Sequence, residues 1–318
     1  MGSSDDPFAG YEIPIGAWAQ SLVDWSAVHL RAVFQALKWP FAETLDWVTR
    51  MLTHAPAWAV LIAVALLVWQ IMGVRRVLWF VAGFCFLGVI GVWRQTMITI
   101  ALLTTAVLFC VVIGIPVGIL IAKKRRLGAV VRPVLDVMQT VPTFVYLVPI
   151  AMLVGIGSVP GVMATMIFAM PPAVRLTALG VQQVSPGPVE AARALGLTSR
   201  QILLWIELPL ALRSIMMGIN QTVMMALAMV VTTSMIAADG LGLLVLRGIG
   251  GLDMGLATQG GTGIVLLGIM LDRLTQSLGQ RTVGEARWYE RGPIGLLFAA
   301  AMPLRRRKSG VPRQPHAA

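Results

Sequence analysis

The sequence predicts an all-α polytopic membrane protein with about seven transmembrane helices. Three observations carry that prediction. Of 318 residues, 57% are hydrophobic and only 12% charged, about half the ~25% charge of a soluble domain. Apolar runs close to the ~20 residues a bilayer requires recur along the chain. The 25 Lys and Arg residues fall unevenly on the two sides of those runs, as the positive-inside rule demands. The 32 glycines and 18 prolines fit as well, because membrane helices tolerate both.

Residues 1–54 precede the first long apolar run, which starts near Ala57, so no secretory signal is expected. They carry six Asp/Glu against three Lys/Arg, together with Trp18, Trp25, Trp39 and Trp47. Val23, Leu30, Val33, Phe34 and Leu37 recur at helical spacing. This reads as an external amphipathic region, lying either on the outer leaflet or on the protein's own outer surface.

Two accessory spans follow, at 55–73 and 77–93, within a segment bounded at 96. A core over 97–280 holds the other five, at 97–122, 134–156, 158–182, 211–238 and 257–279. The 134–156 span is unusual in carrying Asp136, Gln139, Pro142 and Pro149. Cys85 and Cys110 lie inside apolar runs and read as small buried hydrophobes. His29, His54 and His316 are scattered and form no ligand set. Gly240, Gly242, Gly248, Gly250 and Gly251 suggest a flexible outer segment, suited either to docking a binding protein or to making tight turns. Residues 281–318, with the run RRRK, read as a basic cytoplasmic tail.

With the N-terminus outside and the C-terminus inside, 19 basic residues lie on the inner side and five on the outer. The reverse orientation inverts that bias. The formal net charge of +11 is therefore a topology signal and a contact for anionic lipid heads. Nucleic acid is not an expected partner.

This orientation puts 185–210 in the cytoplasm, on a stretch too polar to cross the bilayer. Pro188 suits a first helical turn and Glu190 the positive end of the helix dipole. Gly196 stops that helix. Thr198 caps a second one with Gln201 three residues on, and Pro209 is expected to end it. Ala191, Ala192 and Ala194 give the first helix a small-residue surface that another protein can approach closely. The whole reads as a docking knob.

The pattern Glu190-Ala191-Ala192, Gly196, Ile206, Leu208, Pro209 resembles the EAA loop of ABC-importer permeases, matched at every position. Further stretches, MQTVPTFVYLVPIAMLVGIG (138–157), FAMPPAVRLTALG (168–180), GINQTVMMALAMVV (218–231) and LVLRGIGGLDMGLAT (244–258), are similar to permeases of glycine betaine/proline betaine/choline importers. The likeness spans about 100–280. It implies a type I ABC importer permease fold in a bacterial cytoplasmic (inner) membrane. It implies that the knob fits a cytoplasmic ATPase subunit, and that a separate extracytoplasmic solute-binding protein delivers substrate. No cofactor would be bound directly, and ATP would be used by the partner. No Gly-x-x-x-x-Gly-Lys-Ser/Thr loop occurs in this chain, consistent with a non-catalytic subunit. One bundle with one knob further suggests two copies in a homodimer as the simplest assembly, or a heterodimer with a sister permease.

Such substrates carry a quaternary ammonium, which aromatic faces hold by cation–π attraction. Phe144 and Tyr146, beside Pro142 and Pro149, and Phe168, before Pro171-Pro172, are the pathway candidates; ordinary packing is the competing reading. Asn220, Gln221 and Thr222 could bond across helices or line the path. Asp136 and Arg175 read as a structural pair or as snorkelling groups. Two other functions remain open at this point: an ABC permease for another small solute such as an amino acid, and a stand-alone channel or secondary transporter.

Overall fold

A computed structural model describes residues 14–279; the basic tail expected over 281–318 lies outside the described residues. In lipid, an apolar run can satisfy its backbone only internally, and here every described run closes as helix. In chain order these are α1 (Ile15–His29), α2 (Arg31–His54), α3 (Ala57–Met72), α4 (Val74–Val89), α5 (Trp93–Lys123) and α6 (Arg125–Thr140). A 3₁₀ turn (Thr143–Tyr146) leads to α7 (Leu147–Val154), α8 (Ser158–Gln182), α9 (Pro186–Ala194) and α10 (Ser199–Ile202). A π turn (Leu203–Glu207) leads to α11 (Leu208–Thr233), a 3₁₀ turn (Ser234–Ile236), α12 (Leu241–Gly250) and α13 (Met254–Gly279).

α5, α8 and α11 form the centre, and small residues set their spacing. A Cβ on Gly118 of α5 would lie 2.7 Å from the Val174 carbonyl of α8. A Cβ on Gly218 of α11 would lie 3.1 Å from the Pro172 carbonyl of α8. Apolar side chains gain nothing by leaving lipid for one another, so close backbone approach of this kind is what holds membrane helices together. Leu102, Ala106 and Cys110 of α5 share one core with Val162, Ala169, Ala226 and Val230, and Leu241 of α12 and Leu267 of α13 close it.

Among the described residues, four helical runs are long and apolar enough to cross a membrane: α5, α8, the run Ser199–Ile236, and α13. Two bent pairs raise the number to six if each is one span: α2 with α3, at 108°, and α6 with the run Thr143–Val154, at 107°. This differs from the seven expected. α3 and α4 have 16 residues each, about 24 Å of helix against ~30 Å of hydrocarbon. Gly73 alone joins them, at φ 89°.

The expected 134–156 span is instead the second bent pair. Its first helix starts at Arg125 and stops because Pro142 bars helical backbone at Val141, which is extended at φ −69°, ψ 128°. The expected start of the next span also moves: α5 begins at Trp93, not 97.

The two N-terminal helices differ in burial. α2 packs on the protein itself, burying Phe41, Leu45 and Val48, and the Phe41 ring stacks on Phe109 at 4.0 Å. α1 leaves Trp18, Leu22 and Trp25 exposed. The glycine-rich segment is not an open loop. It folds as α12, and its glycines permit contact: a Cβ on Gly248 would lie 2.5 Å from the Ala257 nitrogen, and one on Gly242 2.9 Å from the Val231 Cα. Cys110 is buried, as expected, with Sγ 3.5 Å from the Met166 carbonyl, whereas Cys85 is exposed on the outside of the helical bundle.

Candidate functional site

The polar knob is built by two short helices and a turn. Pro186 opens α9 in its first turn, where its missing N–H costs nothing. Glu190 is exposed and is the fifth residue of α9, so it stands past the first turn and not at the helix start. Its dipole benefit is correspondingly small, because that effect fades within one turn. Ala191 and Ala194 are exposed. Ala192 is not part of that surface: it is buried, at 3% exposed. The three alanines cannot share one face, because residues one and two apart on a helix point in different directions.

The turn has a defined chemistry. Gly196 sits at φ 79°. Its N–H donates to the Arg193 carbonyl at 2.9 Å, and the Leu197 N–H donates to the Ala192 carbonyl at 3.1 Å. This is the paired closure of a Schellman motif, which needs a left-handed residue at that point. Thr198 and Gln201 then form the reciprocal capping box. The Thr198 N–H donates to Gln201 Oε1 at 2.8 Å.

Pro209 does not end the second helix. The chain runs on helically from Ser199 to Ile236. Proline cannot donate to the carbonyl four residues back, and the wider π turn immediately before it absorbs the mismatch. Ile206 is half-buried. Leu208 packs on the Val181, Ala211 and Ile215 cluster, where α8 and α11 meet.

One contact here escaped sequence reading. Glu207, only 7% exposed, ends the π turn. Its Oε2 lies 2.5 Å from Lys123 Nζ at the end of α5. The signal was an isolated acid between Ile206 and Leu208, with a basic cluster starting at Lys123 to answer it.

The pathway candidates separate in the structure. Phe144, in the 3₁₀ turn, is 56% exposed. Tyr146 is half-buried, and its hydroxyl donates to the Met138 carbonyl at 2.7 Å, bracing the bend. Phe168 packs against Leu147, Ala164 and Met229. The hydroxyl of Thr275 on α13 donates to Asn220 Oδ1. Thr222 is fully buried, and its hydroxyl has no hydrogen-bond partner among the described residues. Gln221 is exposed midway along α11. Met217 and Met224 flank it on the same face and are exposed too. The bend lies against this helix, with Gln139 Nε2 3.7 Å from Met225 Sδ. Asp136 and Arg175 form an ion pair at 2.6 Å.

A two-helix polar knob thus projects from a helical core packed at small residues. The family of binding-protein-dependent transport system inner membrane components matches residues 114–284. The permease ProW of an Escherichia coli glycine betaine/proline betaine transport system is 52% identical over 92% of this chain and 83% of its own. The permease OpuAB of a Bacillus subtilis glycine betaine system is 38% identical over 84% of this chain and 94% of its own.

The chain belongs to the binding-protein-dependent permease family.

The permease is therefore an inner-membrane component, and membership implies an ATPase and a binding protein as partners. The stand-alone channel reading falls with it. The permease fold also matches a chain of the MetNI methionine ABC transporter in an inward-facing form, with a TM-score of 0.52 at 26% identity. That match covers 62% of this chain and 94% of the other.

Proposed function

We propose that this permease carries quaternary-ammonium osmolytes, namely glycine betaine, proline betaine or choline, into the cell. ATP hydrolysis on a separate cytoplasmic subunit drives the step, and this chain is not itself catalytic. The single observation that supports the cargo is 52% identity to a glycine betaine/proline betaine permease over nearly the whole chain. An amino-acid cargo has weaker support, since the methionine transporter chain is 26% identical over a smaller share.

In this reading the knob is the docking element. Ala191 and Ala194 offer the close-approach surface, Glu190 adds an exposed charge beside it, and Ala192, Gly196, Ile206, Leu208 and Pro209 hold its shape. The N-terminus lies outside and the C-terminus inside, as the distribution of basic residues requires.

Two copies assemble with the pathway between them. Gln221 supports this: an exposed amide midway along a span is costly in lipid, so its face must meet another protein surface or water. Phe144, the exposed ring beside that face, is the best-placed aromatic for a cationic head.

The test is uptake of labelled glycine betaine, choline and methionine by vesicles holding this chain, its ATPase and its binding protein. ATP-dependent uptake of glycine betaine or choline with no uptake of methionine is expected. Methionine uptake alone overturns the cargo.

A further inference from the structure

A groove runs along the outside of the bundle between α4 and α13. Its first part is a cavity of ≈ 500 Å³, with Arg76 of α4 and Arg273 of α13 in its lining. Its second part, ≈ 470 Å³, continues the same cleft away from the arginines and shares Trp79, Leu266 and Ile269 with the first. Phe80 and Met270 are buried in the wall. Gly83 deepens the cleft, for a Cβ there would lie only 3.1 Å from the Met270 sulfur. Beyond Trp79 the lining is almost wholly apolar, reaching Phe86 on one helix and Val265 on the other.

The chemistry is graded along the axis. Both arginines stand at one end, near the start of α4 and the end of α13. Neither belongs to an ion pair among the described residues. Gln276 and Ser277 line the same end. Trp79 is 81% exposed at the boundary between the basic and apolar parts. An indole prefers that level of a membrane, between head groups and tails. From Thr262 to Ser277 the lining spans sixteen residues of α13, about 22 Å of helix. One leaflet with its head-group zone is about as deep.

The geometry points to a bound anionic phospholipid, its phosphate between Arg76 and Arg273 and an acyl chain lying along Trp79 and Ile269 toward Phe86. Charge complementarity decides the occupant. A second protein helix would need to answer two cations at one end. A zwitterionic lipid brings its own ammonium to a site already carrying two positive charges. The basic end belongs to the cytoplasmic leaflet, so this inference rests on the proposed orientation but not on the cargo.

The test uses the full chain in nanodiscs and the quenching of Trp79 by brominated lipids, isolated as the difference from Trp79→Phe. Brominated phosphatidylglycerol should be favoured over brominated phosphatidylcholine by roughly tenfold. Arg76→Gln/Arg273→Gln should bring the ratio close to one, while Arg76→Lys/Arg273→Lys should keep most of it. Arg125→Gln/Arg126→Gln removes the same charge off the groove and should change nothing. Three results would each overturn the proposal. One is an equal ratio for both lipids in the unaltered chain. Another is an equal loss in the off-groove pair. The third is full displacement by millimolar glycerol phosphate, which would mean a soluble anion. None of these readouts requires transport, so their failure and that of the importer reading are separable.

Discussion

At the residue scale, Gly196 and Ala192 are both small for different reasons. Gly196 needs its left-handed backbone at φ 79°, and nothing lies within 4 Å of where its Cβ would be. Strain alone therefore sets the cost of a side chain there. Gly196→Val should destabilise the knob by about 1–3 kcal/mol and lower uptake more than membrane insertion. Ala192 is buried, so Ala192→Leu acts by overpacking, at about 1–3 kcal/mol. Ala191→Leu, on the exposed surface, should leave the fold intact and weaken ATPase binding. Thermal melting and ATPase pull-down on the three variants separate these effects; normal ATPase binding by Ala191→Leu would remove Ala191 from the interface. The Gly196 turn and the Thr198–Gln201 box were legible because each depends on neighbours in sequence. The burial of Ala192 and the Lys123–Glu207 pair were not, since both depend on how the knob meets the bundle.

At the element scale, the centre depends on helices approaching at glycine. Gly118→Ala would set a Cβ against the Val174 carbonyl and the Thr177 side chain. Neither helix can yield without losing its other contacts. We expect a loss of about 1–3 kcal/mol, read as a lower melting temperature in detergent, with Gly187→Ala, open on all sides, as the neutral control. The same scale shows why the span between Arg125 and Val154 misled. Hydropathy averages over a window and passes across Pro142, whereas the backbone must break there. Likewise α12 was hidden by its glycines, which suggest a loop by composition yet serve contact with α13 and α11. The long spans α5 and α8 were legible from length and hydropathy alone.

At the scale of the whole molecule, orientation and assembly determine which faces meet water and which meet a second copy. Reporter fusions after Arg126 and after Gly196 should both signal cytoplasm; an external signal at either site would reverse the topology. Met224→Cys should cross-link two copies under mild oxidation, because it is exposed on the Gln221 face, whereas Val265→Cys, exposed on α13, should not. Equal cross-linking at both would place the contact elsewhere.

The helical run from Ser199 to Ile236 has a mechanical meaning. Its 38 residues make a rod about 55 Å long; in the proposed importer the knob would be a handle at one end and the entry to the bilayer the pivot. Pivoted near Glu207, the roughly 43 Å of helix from there to Ile236 would sweep its far tip by about 4 Å for a tilt of about five degrees. The Lys123–Glu207 pair ties this rod to α5, so in the proposed importer a push on the handle would reach two helices.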